Sequence, residues 1–259
     1  MKKLFFFSAA VALATSISFA QIPNLPGSGN ALSFNGTSDY VAVGDVLDNV
    51  FTPVNAQFTI SLWICPASMT NHFFVSKLGD SVFPEDQRQF SFGIISGRPY
   101  FVYYGDLNCC NSYRDMSGST IITATGKWYN IVVTYDGSIN TNDGLDRVQF
   151  YVNGMKESTV LLSSLGSLPV NIPNGTAQLG IGATVNTAGN MSYYNFDGSI
   201  DEVRIWNKAL TQTEIRDNLC QKLTGSEAGL VGYWRFDETS GTTANDSQTN
   251  VPPNNGTLK

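Results

Sequence analysis

Apolar and polar residues alternate in short runs along this chain, at the two-residue period of a strand with one buried face. Phe58-Thr59-Ile60-Ser61-Leu62-Trp63-Ile64 is one such run and Gln89 to Ile95 another. Trp128 to Tyr135, Val148 to Val152, Gln178 to Ile181 and Leu230 to Phe236 follow. Each is rich in branched or aromatic residues and ends at Gly, Asn, Asp or Pro. Asn35-Gly36, Asp136-Gly137, Asp143-Gly144, Asn153-Gly154, Asn174-Gly175 and Asp197-Gly198 read as turns. Helical periodicity stands out once, after Thr211-Gln212-Thr213-Glu214, a capping box ahead of Ile215 and Leu219. Strands rarely alternate with helical stretches, which disfavours a parallel βαβ sheet. The predicted fold is all-β: an antiparallel two-sheet sandwich of jelly-roll type with one short C-terminal helix.

Charged residues are 14% of the 259 and the net charge is -6, which argues against a basic, nucleic-acid-binding surface. Lys2 and Lys3 precede an apolar stretch, Leu4 to Ala14, and Ser18-Phe19-Ala20 offers the small residues of a signal-peptidase site. The stretch is too short for a bilayer span of about 20 residues. The expectation is a signal peptide over 1–20, a domain over 21–222, and a trailing strand and polar tail over 223–259, packed on or following that domain. The mature chain is expected to be secreted or at the cell surface, with no membrane span after signal removal. In an oxidising compartment the cysteines, Cys65, Cys109, Cys110 and Cys220, suggest two disulfides. Three connectivities exist, and a Cys109–Cys110 bridge would close a strained ring. The favoured arrangement bridges one of that pair to Cys65 and the other to Cys220. The single histidine, His72, sits beside Asn71 and two phenylalanines and reads as structural.

Several segments in order resemble the laminin-G-like, concanavalin A-like jelly rolls. Ala31-Leu32-Ser33-Phe34-Asn35-Gly36-Thr37-Ser38-Asp39-Tyr40-Val41 looks like their opening strand pair, and Phe58 to Trp63 like their next strand. Trp128 to Gly137 with Val148 to Gly154 resembles their central hairpin. Phe196-Asp197-Gly198-Ser199-Ile200-Asp201-Glu202-Val203-Arg204-Ile205-Trp206 is the most specific piece. Gly229 to Glu238 and Asn255 to Leu258 resemble a segment that often trails this domain. The resemblance implies a fold and, more loosely, carbohydrate-binding, adhesion or glycoside-hydrolase roles.

Hydrolases on this fold carry their carboxylates on one strand as Glu-x-Asp-x-x-Glu or a close variant, and nothing here has that spacing. Glu85-Asp86 and Asp201-Glu202 are adjacent pairs, and neighbours on a strand face opposite ways. Glu202 reads as a partner for Arg204 on the same face. The resemblance also points to a structural calcium, with Asp39 and Asp201 as side chains at family positions, although both carboxylates could equally cap turn amides. Aromatics outside the core pattern are the candidate ligand contacts: Tyr103, Tyr104, Tyr113, Tyr193 and Tyr194. A flat ring offers an apolar surface to the C–H face of a sugar, with Asn and Asp nearby for hydrogen bonds. Alternation sends Tyr103 and Tyr104 to opposite faces, so one belongs to the core. Trp63, Trp128, Trp206 and Trp234 are expected to fill the sandwich. The combined reading is a non-catalytic module for an extracellular glycan or other surface ligand, against a glycoside hydrolase or a spacer of a larger adhesin.

Overall fold

The alternating runs form strands where the pattern places them. In the computed structural model the described residues are 29–79, 87–107, 111–191 and 193–259, with the backbone of 19–21. Residues 1–18 of the expected signal peptide, the Glu85-Asp86 pair, Cys109 and Cys110 lie outside them. In chain order the elements are β1 (Phe19–Gln21), β2 (Asn30–Asn35), β3 (Val41–Gly44), α1 (Asp48–Phe51), β4 (Gln57–Pro66) and β5 (His72–Leu78). Then come β6 (Arg88–Ile95), β7 (Arg98–Tyr104), β8 (Tyr113–Ser117), β9 (Tyr129–Asp136), β10 (Val148–Val152) and β11 (Met155–Lys156). The chain ends with β12 (Val160–Leu165), β13 (Leu179–Ile181), β14 (Asp197–Trp206), α2 (Gln212–Asp217), β15 (Leu230–Trp234), β16 (Thr243–Ala244) and β17 (Gly256–Leu258).

All the strand pairs are antiparallel and fall into two sheets. Sheet A runs β1-β2-β14-β4-β9-β10-β11, with β15 also on β14; sheet B runs β12-β8-β7-β6-β5-β13-β3-β17-β16. The inner faces meet in one core that includes Phe58, Ile60, Leu62 and Ile64 of β4, Ile131 and Val133 of β9, and Phe90, Phe92, Phe101 and Tyr103 of sheet B. Each fully buried apolar side chain contributes about 1.5–3 kcal/mol of transfer free energy. The 223–259 segment joins both layers: β15 pairs with β14, β17 pairs with β3, and Trp234, Phe236 and Leu258 enter the core.

Local chemistry explains the turns. Asn35 Oδ1 accepts from the backbone amides of Thr37, Ser38 and Asp39, while Gly36 takes φ 71°. A Cβ at Gly36 would lie 2.8 Å from Cβ of Asp197 on the neighbouring strand. The capping box forms as expected: Glu214 N donates to Thr211 Oγ1, and Thr211 N donates to Glu214 Oε2 at 2.8 Å. Asn153 and Gly154 both take positive φ in the tight turn between β10 and β11.

Only one tryptophan fills the space between the sheets as expected, Trp234. Trp63 and Trp206 alternate with core residues, so they stand on the outer face of sheet A, and Trp128 is half-buried at the start of β9. The expected bridges also need correction, because Cys65 and Cys220 are free thiols. Cys65 lies on β4 of sheet A beside buried Ile64 and so faces away from the interior. Residues 105–107 and 111–112, which flank Cys109 and Cys110, belong to the β7–β8 connection of sheet B.

Candidate functional site

The outer face of each sheet carries a second set of side chains. On sheet A that set is covered. Val132, Tyr151, Trp206 and Tyr233 pack beneath Leu210, Ile215 and Leu223 of the α2 region. Arg204 ties the cover down: its guanidinium donates to the carbonyls of Asn218 and Gln221 and to Glu202, which also accepts from the Tyr233 hydroxyl. Trp63 Nε1 donates to the Leu219 carbonyl at 3.2 Å.

On sheet B no helix among the described residues lies over the corresponding face, although Phe73, Tyr100 and Val102 are buried there. Tyr100, Val102 and Tyr104 alternate with Phe101 and Tyr103, so three side chains of β7 point outward while two point into the core. Phe73 lies beside Tyr100, ring centroids 6.0 Å apart and nearly parallel, and 4.6 Å from Tyr194. Tyr113 lies 6.1 Å from Tyr104, and the Arg88 guanidinium sits 5.6 Å over the Tyr104 ring. Phe73, Tyr100, Val102, Tyr104, Tyr194 and Arg88, with Tyr193, Ile95 and Leu78 but not Tyr113, enclose a groove of about 350 Å³.

Two backbone features shape it. Phe73 pairs with Gly93 beside a bulge in β5. A Cβ at Gly93 would fall 2.9 Å from Phe73 Cδ1 and 2.0 Å from the His72 carbonyl, so only glycine allows the ring to lie there. Tyr194 takes φ 55°, a conformation that is costly for a bulky residue, while its carbonyl accepts from Phe73 N at 2.8 Å. The strain sits where the ring of Tyr194 meets that of Phe73.

A carboxylate lies beside the groove without lining it. Asp115 of β8 stands opposite Val102 on the same face. Burial lifts its carboxyl to about 6, partly offset by a hydrogen bond from the Tyr100 hydroxyl. Burial also raises Tyr100 and Tyr104, so both hydroxyls stay protonated donors at neutral pH. The Tyr113 hydroxyl and Ser163 Oγ are 2.9 Å apart.

Four of the expected ligand contacts, Tyr104, Tyr113, Tyr193 and Tyr194, therefore come together on one face. Tyr103 does not: it is fully buried, with its ring 5.2 Å from Tyr135 between the sheets, and alternation is the reason. The sequence reading missed Phe73, Tyr100, Arg88 and Asp115. Tyr100 was available from the same i, i+2, i+4 stripe that carries Tyr104; Phe73 was hidden by the bulge beside it.

The expected calcium donors lie apart. Asp39 is near the β2–β14 rung of Asn35 and Asp197, whereas Asp201 pairs with Trp63 on the covered face. Asp39 Oδ2 accepts from Asn35 N at 3.1 Å and Oδ1 from Asn35 Nδ2 at 2.9 Å. Asp201 is buried, accepts from Glu202 N, and is pushed up to about 8 by burial and then by the neighbouring Glu202 charge. Among the described residues no three His, Cys, Asp or Glu side chains gather as a metal group. This donor set fits a capped turn and a buried acid rather than a shell of six to eight oxygens. His72 is buried, with Nδ1 2.7 Å from the Asn195 carbonyl and its ring against Phe196.

Comparison with known proteins agrees with this architecture. A protein of Bacteroides ovatus, provisionally described as carbohydrate binding, superposes with a TM-score of 0.56 at 21% identity, over 88% of this chain and 57% of that one. The enzymatically active domain of bacteriophage CBA120 tailspike protein 2 gives 0.54 at 15% identity, over 86% and 32%. The binding domain of Paraclostridial Mosquitocidal Protein 1 gives 0.51 at 14%, over 78% and 45%. This chain thus spans less than two thirds of each. No curated protein matches it in sequence. No helix among the described residues is long and apolar enough to cross a membrane. The Laminin_G_3 family model matches residues 35–216, most of the sandwich, and on that match the chain belongs to the concanavalin A-like lectin/glucanases superfamily.

Proposed function

We propose that the protein is a non-catalytic, extracellular carbohydrate-binding module whose ligand site is the aromatic groove on sheet B. The observation that carries this reading is the cluster of Phe73, Tyr100, Tyr104 and Tyr194 around a groove on a sheet face that no helix among the described residues covers. Stacked aromatic faces beside an arginine and a half-buried carboxylate suit a sugar, which has apolar C–H faces and a polar rim. The likeness to the Bacteroides ovatus protein supports the reading at the level of fold. Glu202, the acid a hydrolase would need on β14, is buried and engaged by Arg204 and Tyr233.

A glycan array followed by calorimetry tests it. Binding is expected, and Tyr104→Ala should weaken it at least about tenfold, or roughly 1.4 kcal/mol, without lowering the melting temperature. Glycan binding indifferent to both Tyr104→Ala and Tyr194→Ala would place the site elsewhere. Release of reducing sugar would remove the non-catalytic assignment.

A further inference from the structure

We propose that Cys65 and Cys220 are a redox pair that bonds to each other, a disulfide clasping the segment after α2 to the outer face of sheet A. Both are thiols in this structure. The pairing differs from the one expected from sequence, and the fold supplies the reason. Cys65 alternates with buried Ile64 and faces away from the interior, whereas the β7–β8 connection belongs to sheet B, across that interior. The segment that does lie over the outer face of sheet A is the one that holds Cys220.

Contacts on both sides of Cys220 fix its course. Trp63 Nε1 donates to the Leu219 carbonyl at 3.2 Å, and Arg204 donates to the Gln221 carbonyl. Lys222 pairs with Asp237, and its charge also reaches Asp201, the rung partner of Trp63. Cys220 thus follows a residue bonded to one outward position of β4, and Cys65 is the next outward position on that strand. Outward positions on a strand are about 7 Å apart, close to the spacing of about 4.4–6.8 Å between the Cα atoms of a disulfide. Residues 218–224 are turn and loop, with no ladder to break as the sulfurs close.

Access sets the order of the chemistry. Cys220 is exposed and Cys65 half-buried, and burial raises the Cys65 thiol. With a low-molecular-weight disulfide as oxidant, the Cys220 thiolate attacks one of its sulfurs and releases the other half as a thiolate. The Cys65 sulfur then attacks Cys220 Sγ in the mixed disulfide and displaces the second half. Two protein thiols are oxidised, one small disulfide is reduced to two thiols, and the two protein protons pass to the leaving thiolates. The bond closes a loop from β4 to beyond α2, and the stabilisation from such a closure grows with loop length.

Peptide mapping of the full chain tests the pairing. The protein is purified reduced, exposed to oxidised glutathione, alkylated and digested with trypsin. Cleavage at Arg216 and Lys222 isolates Cys220 in Asp217–Lys222, and cleavage at Lys77 and Arg88 separates Cys65 from Cys109 and Cys110. The expected product is Asp217–Lys222 joined to the peptide that ends at Lys77. Oxidation should raise the melting temperature by about 5–10 °C. Cys65→Ser, Cys220→Ser and the double variant should each lose the same amount, because a shared bond is lost once. Cys220 found alkylated in the oxidised protein, or joined to the peptide that holds Cys109 and Cys110, would overturn the pairing, as would additive losses in the two single variants. A bond that forms without raising the melting temperature would overturn the clasp.

Discussion

The two outer faces of the sandwich carry similar side chains and meet opposite fates. Sheet A presents Trp206, Tyr151 and Tyr233, and buries them under α2 and the segment that follows it. Sheet B presents Phe73, Tyr100 and Tyr104 around a groove, with Phe73 and Tyr100 themselves buried and Tyr104 half-buried. The difference lies in what is tethered. Arg204 reaches from β14 to the carbonyls of Asn218 and Gln221, so the covering segment is held by charge-assisted hydrogen bonds as well as by Leu210, Ile215 and Leu223. Over sheet B, among the described residues, it is the β13–β14 connection that meets the groove. It lines one side of the groove with Tyr193 and Tyr194, held by the Phe73 N to Tyr194 carbonyl bond and the contact between the Phe73 and Tyr194 rings. One aromatic face thus adds to stability under its helix, and the other is the face proposed for a ligand.

The largest expected effect is on the covered face. Arg204→Met leaves Glu202 buried without its cation, and should cost about 3–5 kcal/mol in denaturant unfolding. The double variant Glu202→Gln/Arg204→Met should recover much of that loss. An Arg204→Met protein of unchanged stability would mean that the cover is held by its apolar contacts alone.

On the open face the same kind of experiment should move binding and spare the fold. Tyr194→Gly relieves a left-handed backbone and removes a ring. Stability should stay level or rise by about 1 kcal/mol, while glycan affinity falls. A clear loss of stability would show that Tyr194 is a packing residue and that the groove is less open than its geometry indicates.

The smallest effect compares the acids of the two faces. Burial and then the neighbouring Glu202 charge raise Asp201 to about 8 on the covered face, while burial raises Asp115 to about 6 beside the groove. Both folded values lie above the ordinary value of 3.8. Between the ordinary and the folded value, the folded state holds more protons than the unfolded one, so stability falls as pH rises. Asp115→Asn should flatten the melting-temperature profile from about pH 4 to 6, and Asp201→Asn should flatten it further, to about pH 8. Profiles unchanged by either variant would show that neither acid is desolvated by its face.

Much of the sandwich was legible because its signals are local. The run Phe58 to Ile64 predicts β4 and its buried set Phe58, Ile60, Leu62 and Ile64, and the Asn35-Gly36 turn and the Thr211–Glu214 cap need only neighbouring residues. The pairing of cysteines was not local, and there the expected bridges from Cys65 and Cys220 failed. The site was half legible: four of the five chosen tyrosines meet, yet Tyr103 points inward, and Asp115 and Phe73 enter only through strand order and a bulge.

By itself the sequence determined that alternating strands would form, where they would turn, and which side of most strands would be apolar enough to meet another layer. It also placed a capped helix after β14. Tertiary structure decided which of two aromatic outer faces that helix would cover. Alternation assigns a side chain to one face or the other, but the covering of a face depends on contacts between residues far apart in the chain, such as Arg204 with Gln221 or Phe73 with Tyr194.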